Sequence, residues 1–277
     1  MTVPQPDRRD QPDQPDQLDW PSPAPAEPGS AWLTVAFIGE VVLGLGRRLR
    51  GAPGPAPGQW RRLLDQAGPG SVPIVVLTCS LIGLMLAYMA GAQLGRIGAQ
   101  AYLADVVTVG MVRELAGMMT GIVLAGRVGA SYASELAAMR AGEEIDALRA
   151  LGVDPIAHLV LPRLAALVLL AAPLIVLGAL AGVLAGWPAA VLAYGLSSPE
   201  YLHQCLRALT PTHVWIGLFK GVLYAALVAL ASCREGLLAG RSAQAVGEAT
   251  TAAVVRSLVW IVAAACTTTV VFTALGY

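Results

Sequence analysis

Lysine is nearly missing from this chain: Lys220 is the only one in 277 residues. Charge of either sign is scarce, at 13% Asp, Glu, Lys and Arg with a formal net charge of zero, which removes any bulk electrostatic case for nucleic-acid binding. The four cysteines (Cys79, Cys205, Cys233, Cys266) are scattered, with no CxxC and no Cys/His ligand spacing. They read as small buried apolar side chains, not metal ligands. His158, His203 and His213 form no cluster. No GxSxG, HExxH, Walker lysine or pair of intramembrane aspartates occurs, so no catalytic equipment is recognisable. A basic n-region leading into an apolar core and cleavage site is lacking too, so a cleaved signal peptide is not expected.

Apolar sequence is abundant instead. Hydrophobic residues make up 56% of the chain and mean hydropathy is +0.64, far from soluble-domain averages. Several runs exceed the roughly 20 helical residues that cross a ~30 Å hydrocarbon layer, so a multi-span helical membrane protein is expected. Residues 1–29, rich in Pro, Asp and Gln, lack apolar periodicity and are expected to be disordered. Residues 30–50 read as a helix with Ser30 as N-cap, ending in Arg47, Arg48 and Arg50. Its short apolar core suits the cytoplasmic interface, with arginines among lipid headgroups; a full crossing is the alternative. A GAPGPAPG linker and a short basic helix around 60–66 follow.

Five spans come next, at roughly 72–94, 106–133, 156–186, 214–233 and 249–275. The third is longer than one crossing and contains Pro162 and Pro173, so it is either a kinked helix that overruns the bilayer or a re-entrant pair. Arginines concentrate before the first span and in the 134–155 and 234–248 connections. By the positive-inside rule these segments and the N-terminus are cytoplasmic, and the C-terminus is outside. Ser198, Pro199 and Glu200 signal the start of a short external helix over about 199–209.

In the second span Gly117, Gly121, Ala125, Gly129 and Ala133 recur at every fourth position and share one helix face. Such ridges let backbones approach closely in lipid. Gly178, Gly182 and Gly186 repeat the device in the third span. The ridges serve either packing within the chain or a subunit contact. Arg113, Glu114 and Arg127 lie in or near the ends of the second span, where a charge needs a partner or a polar cavity. Glu114 and Arg127 are about 220° apart around the helix axis and cannot pair with each other. Glu114 is expected to meet a polar group from another span or a ligand headgroup, and Arg127 to snorkel. Lys220 could snorkel or line a cavity.

The pattern then runs on, with no break in helical periodicity, into the charged segment AAMRAGEEIDALRALGVDP. Leu136, Met139, Ile145, Leu148 and Leu151 offer an apolar stripe; Arg140, Glu143, Glu144, Asp146 and Arg149 supply charge. Arg140 can reach Glu143 and Glu144, and Asp146 can reach Arg149, at helical spacing. Gly152 suits a C-cap and Pro155 prevents continuation. A charge run of this kind is commonly just a solvated surface helix; against that, an apolar side facing the cytosol calls for a partner groove, and docking to a cytoplasmic protein is the favoured expectation.

At these residues the sequence resembles the MlaE/YrbE permeases of lipid-transporting ABC systems. The strings that carry the likeness are RELAGMMTGIVLAGRVGASYASELAAMRAGEEIDALRALGVDPIAHLVLPR (113–163) and AGRSAQAVGEATTAAVV (239–255), within an overall likeness over about 32–277. The resemblance implies an all-α integral membrane protein of the bacterial inner membrane: five transmembrane helices, an N-terminal interfacial helix, and a cytoplasmic coupling helix at about 135–152 between spans 2 and 3. It implies a homodimer, a separate cytoplasmic ABC ATPase holding ATP and magnesium, a periplasmic MCE-domain protein and, often, a STAS-domain protein. No cofactor is expected on this chain and no catalytic role. Phospholipid or related lipid would enter a pocket for which Arg113, Glu114 and Tyr88 are the candidates. Glu135 would join the coupling residues of the insert. Two other readings stand beside this one: an intramembrane lipid-modifying enzyme with Glu114 as acid or base, and a proton-coupled carrier using the same carboxylate.

Overall fold

A computed structural model describes residues 30–49 and 57–276. The expected disorder of 1–29, Arg50 and most of the Gly/Pro linker lie outside the described residues, as do the side chains of Ser30, Arg47 and Arg48. The described residues form helices and short connections, with no strand among them.

Five helices are long and apolar enough to cross a membrane: Val72–Arg96, Gln100–Ala141, Ile156–Tyr194, Pro211–Leu238 and Ala243–Ala274. All are longer at one or both ends than the hydropathy runs suggested, because capped polar turns extend beyond the apolar stretch. Thr210 and Ser242 start the fourth and fifth spans, accepting through their hydroxyls from the backbone N–H of His213 (3.5 Å) and Ala245 (3.1 Å). The third span is one continuous helix through Pro173 and Pro188, so no re-entrant pair forms. At 39 residues it is ~58 Å long, well beyond the hydrocarbon layer. Gly195, at φ +70°, takes the left-handed conformation that ends it.

The first and third spans pack most intimately, and glycine makes this possible. A Cβ on Gly83 would lie 2.0 Å from the Gly182 carbonyl oxygen, so the two backbones touch directly. The second span meets the fourth in the same way, with Gly117 against the Gly221 backbone. Gly121, Ala125 and Gly129 continue that buried face toward Tyr224 and Ser232, and Gly178 sits on Cys79. The fifth span differs: it buries only the stripe Ala249, Ala253, Ser257 and Ile261.

Two shorter helices precede the spans. Ser30–Leu49 is not among the five crossing helices; it packs Phe37 and Val41 against Leu159, Val160 and Leu161, at the foot of the third span. Pro57–Ala67 buries Leu63 and Ala67 in the main core. At the other end of the bundle, Ser198–Ala208 is capped by Ser197, whose hydroxyl accepts from the Glu200 N–H at 3.3 Å. The cap therefore falls one residue before the expected Ser198.

Candidate functional site

The second span is not a regular α-helix throughout. It widens to π-helical turns at Met111–Leu115 and Ala125–Gly129, a device that re-aims side chains inside a helix. The first turn carries Arg113 and Glu114. Lys220 of the fourth span donates to Glu114 Oε1 and, at 3.0 Å, to the Thr269 hydroxyl of the fifth. Thr269 in turn donates to Glu114 Oε2 at 3.3 Å, and Arg113 Nε stands 3.8 Å from Oε1. The Lys220 ammonium also lies 5.8 Å from the centre of the Phe272 ring. Three spans thus converge on one carboxylate.

Lys220 is 1% exposed, so it is a sealed partner and not a snorkelling side chain. Glu114 keeps 34% of its side chain open, which leaves the cluster one accessible face. Tyr88 is elsewhere: it is exposed, sets its ring at a 58° tilt against that of Tyr194, and accepts the Tyr194 hydroxyl on its carbonyl at 2.6 Å. Arg127, at the second π-turn, does not snorkel; it donates to Ser71 Oγ at 2.7 Å and ties the second span to the start of the first. Thr269 was not singled out from sequence. The run of three threonines at 267–269 opposite a lone intramembrane lysine was the available signal.

The expected single helix over about 135–152 is in fact broken. The helix Ala130–Ala141 ends at Gly142, Glu143 adopts φ +60°, and a separate helix Glu144–Ala150 follows. Gly142 is a poor helix former, and the break folds the second arm back so that Ile145 is buried beside Leu136 and Val41. The apolar stripe is therefore split. Leu136 and Ile145 are buried in the chain, Met139 and Leu148 are half-buried, and Leu151 is 78% exposed. Gly152, at φ +74°, closes the arm.

The charges are redistributed by the same break. Arg140 donates to the Leu237 carbonyl instead of reaching Glu143 or Glu144. Asp146 pairs with Arg149 at 3.4 Å, and also with Arg241 of the connection between spans four and five at 2.7 Å. Arg241 approaches Glu143 as well, at 3.8 Å. Glu135 faces inward to Arg163 at 3.1 Å, where the guanidinium packs over Tyr132. Between the insert and the Pro57–Ala67 helix a cavity of about 460 Å³ opens, walled by Arg62, Glu135, Met139, Glu144, His158 and Arg163. Outward from the insert point Glu143, Glu144, Ala147, Arg149, Ala150 and Leu151.

Comparison with known proteins places this geometry in a family. Residues 61–271 match the family described as Permease MlaE. A probable ABC transporter permease protein of Rickettsia prowazekii is 37% identical over 191 residues, covering 69% of this chain and 74% of its own. A probable ABC transporter permease of Synechocystis is 32% identical over 198 residues, or 72% and 75% of the two chains. The chloroplastic protein TRIGALACTOSYLDIACYLGLYCEROL 1 of Arabidopsis thaliana is 34% identical over 233 residues, or 83% of this chain and 64% of that one. The family match spans the Glu114 cluster and the broken insert alike, and on these likenesses this multi-pass membrane chain belongs to the MlaE family of ABC transporter permeases.

Proposed function

We propose that this chain is the membrane subunit of an ABC lipid transporter, moving phospholipid or a related lipid between an inner membrane and a periplasmic MCE-protein channel. The observation that carries the reading is the continuous helix Gln100–Ala141, which holds Arg113 and Glu114 near one end and leads directly into the insert at the other. From Glu114 to Ala141 is ~40 Å along the axis. A push on the insert is thereby a push on the carboxylate cluster. ATP and magnesium belong to a cytoplasmic ATPase that grips the outward face of the insert, Leu151 above all; a STAS-domain protein fits on that ATPase. The N-terminus and insert lie in the cytoplasm and the C-terminus outside.

The substrate site lies at the open face of Glu114, between two copies of this chain. Support comes from the fifth span, which buries one stripe and leaves Val255, Val259, Val262 and Val270 outward beside Thr269. The name of the Arabidopsis relative, a trigalactosyldiacylglycerol protein, favours a lipid cargo. Glu114 is already held by Lys220 and Thr269, which disfavours it as a free acid, base or proton carrier.

The test is reconstitution with an ABC ATPase from the same organism. ATP-dependent extraction of a fluorescent phospholipid, lost in Leu151→Asp along with ATPase co-purification, supports the reading. Lipid movement without the ATPase, or co-purification unchanged by Leu151→Asp together with Ala147→Asp, overturns it.

A further inference from the structure

Away from the Glu114 cluster, a narrow crevice of about 240 Å³ lies between the second, third and fourth spans, beneath the roof helix Ser198–Ala208. Its long wall is Ile175, Ala179, Leu180, Val183 and Leu184 of the third span. Leu202, Leu206 and Leu209 close it above, and Val112 and Leu218 close it at the back. Val112 belongs to the same π-turn as Glu114, two residues from it, and lines the crevice while Glu114 faces the cluster, so crevice and cluster occupy opposite faces of one helix.

Three observations identify an occupant. The first is length. Positions 175 to 184 span ~14 Å of helix, close to half of the ~30 Å hydrocarbon layer, so the crevice is one leaflet deep. It lies at the end of the bundle opposite the insert, because the third span starts beside the insert and finishes beside the roof helix. The second is width. At about 240 Å³ over that length it suits one hydrocarbon chain and is too narrow for a helix about 10–12 Å across.

The third observation is polar. Thr108, in the crevice wall, is 2% exposed, and its hydroxyl has no hydrogen-bond partner among the described residues. A buried hydroxyl left so in an apolar site is costly. The Cys205 thiol lines the same crevice; sulfur is a weak acceptor, so an oxygen acceptor brought into the crevice takes the threonine proton in preference. On the roof, Arg207 follows Leu206, is exposed, and has no ion-pair partner among the described residues. The one carboxylate of the roof helix, Glu200, lies seven residues earlier beside the Ser197 cap.

We propose that this crevice binds one acyl chain of an anionic glycerophospholipid from the leaflet remote from the insert. The chain lies along Ala179–Leu184, Thr108 donates to an ester carbonyl, and Arg207 holds the headgroup phosphate. The site is separate from the pocket proposed at Glu114, and its occupancy needs no ATPase.

The full chain in phosphatidylcholine nanodiscs, doped with a trace of phosphatidylglycerol carrying a mid-chain diazirine, tests this by photolabelling and peptide mapping. Label should concentrate on Leu180, Leu184 and Leu206 relative to the lipid-exposed Leu77 and Met85 of the first span. Ala179→Phe should lower crevice labelling roughly fivefold and leave Leu77 and Met85 unchanged, the latter serving as the control for folding. If that variant fails to fold, Leu206→Trp on the exposed roof should have the same effect. Arg207→Gln should abolish the preference for phosphatidylglycerol over a phosphatidylcholine probe with the same chain. Labelling equal to that of Leu77 and Met85, and indifferent to either filling variant, means ordinary boundary lipid and overturns the proposal. A preference unchanged by Arg207→Gln overturns the headgroup assignment.

Discussion

Two polar assemblies tie distant parts of this chain together, and their surroundings make them unequal. Glu114, Lys220 and Thr269 meet inside the helical bundle, with the ammonium 1% exposed. Asp146 and Arg241 meet on the surface of the insert, at 45% and 63% exposure. In the first case each group removed leaves another stranded in a low-dielectric surround, so a loss is magnified. In the second, water replaces whatever is lost, and the pair contributes little. Similar chemistry therefore serves architecture in one place and adjustable surface in the other.

The most damaging way to test this contrast is Lys220→Met, which strands Glu114. Breaking a buried pair costs about 3–5 kcal/mol; the partial exposure of Glu114 brings the expected loss to about 2–3 kcal/mol, read from unfolding in detergent. Glu114→Gln combined with Lys220→Met should be milder than Lys220→Met alone, and equal losses would contradict the pairing. Next comes Ile145→Asp, which forces a charge into the small core under the insert. A loss of about 2–3 kcal/mol is expected, by the same assay, with shortened protease resistance of the 141–155 segment. Arg241→Ala should then change stability by no more than about 0.5 kcal/mol, and that change should vanish in high salt; a loss several times larger would break the contrast. Smallest of all, Leu151→Asp should leave unfolding unchanged while removing ATPase binding, since the side chain is already in water.

The helices and their number were legible because the membrane solvent imposes one rule: every backbone polar group must be bonded within its own segment. Runs such as 72–94 satisfy it in only one way. Partnerships across the bundle were not legible. Glu114 in an apolar span called for a polar group from elsewhere, but Lys220, read only as snorkelling or lining a cavity, is 106 residues away in the chain, and local spacing says nothing about which span comes adjacent. The insert was misjudged as one helix because its periodicity runs through Gly142 and Glu143 unbroken. What ends it is tertiary: Ile145 gains more by burial against Val41 and Leu159 than the continued helix would gain from its Arg140–Glu144 spacing. Thr269 was invisible for a related reason. A threonine hydroxyl can satisfy itself on its own helix backbone, as Thr267 and Thr268 do at 2.8 and 2.7 Å, and only the neighbouring lysine makes the third one different.

The lone ε-amine has a practical consequence. With Lys220 locked against Glu114, acylating reagents have no other lysine side chain to attack, so the rate at which that amine becomes modified is a clock for separation of the second, fourth and fifth spans. A turnover cycle that pries them apart would accelerate it, and an inhibitor wedging them shut would stop it, giving a chemical readout of gating that needs no introduced label.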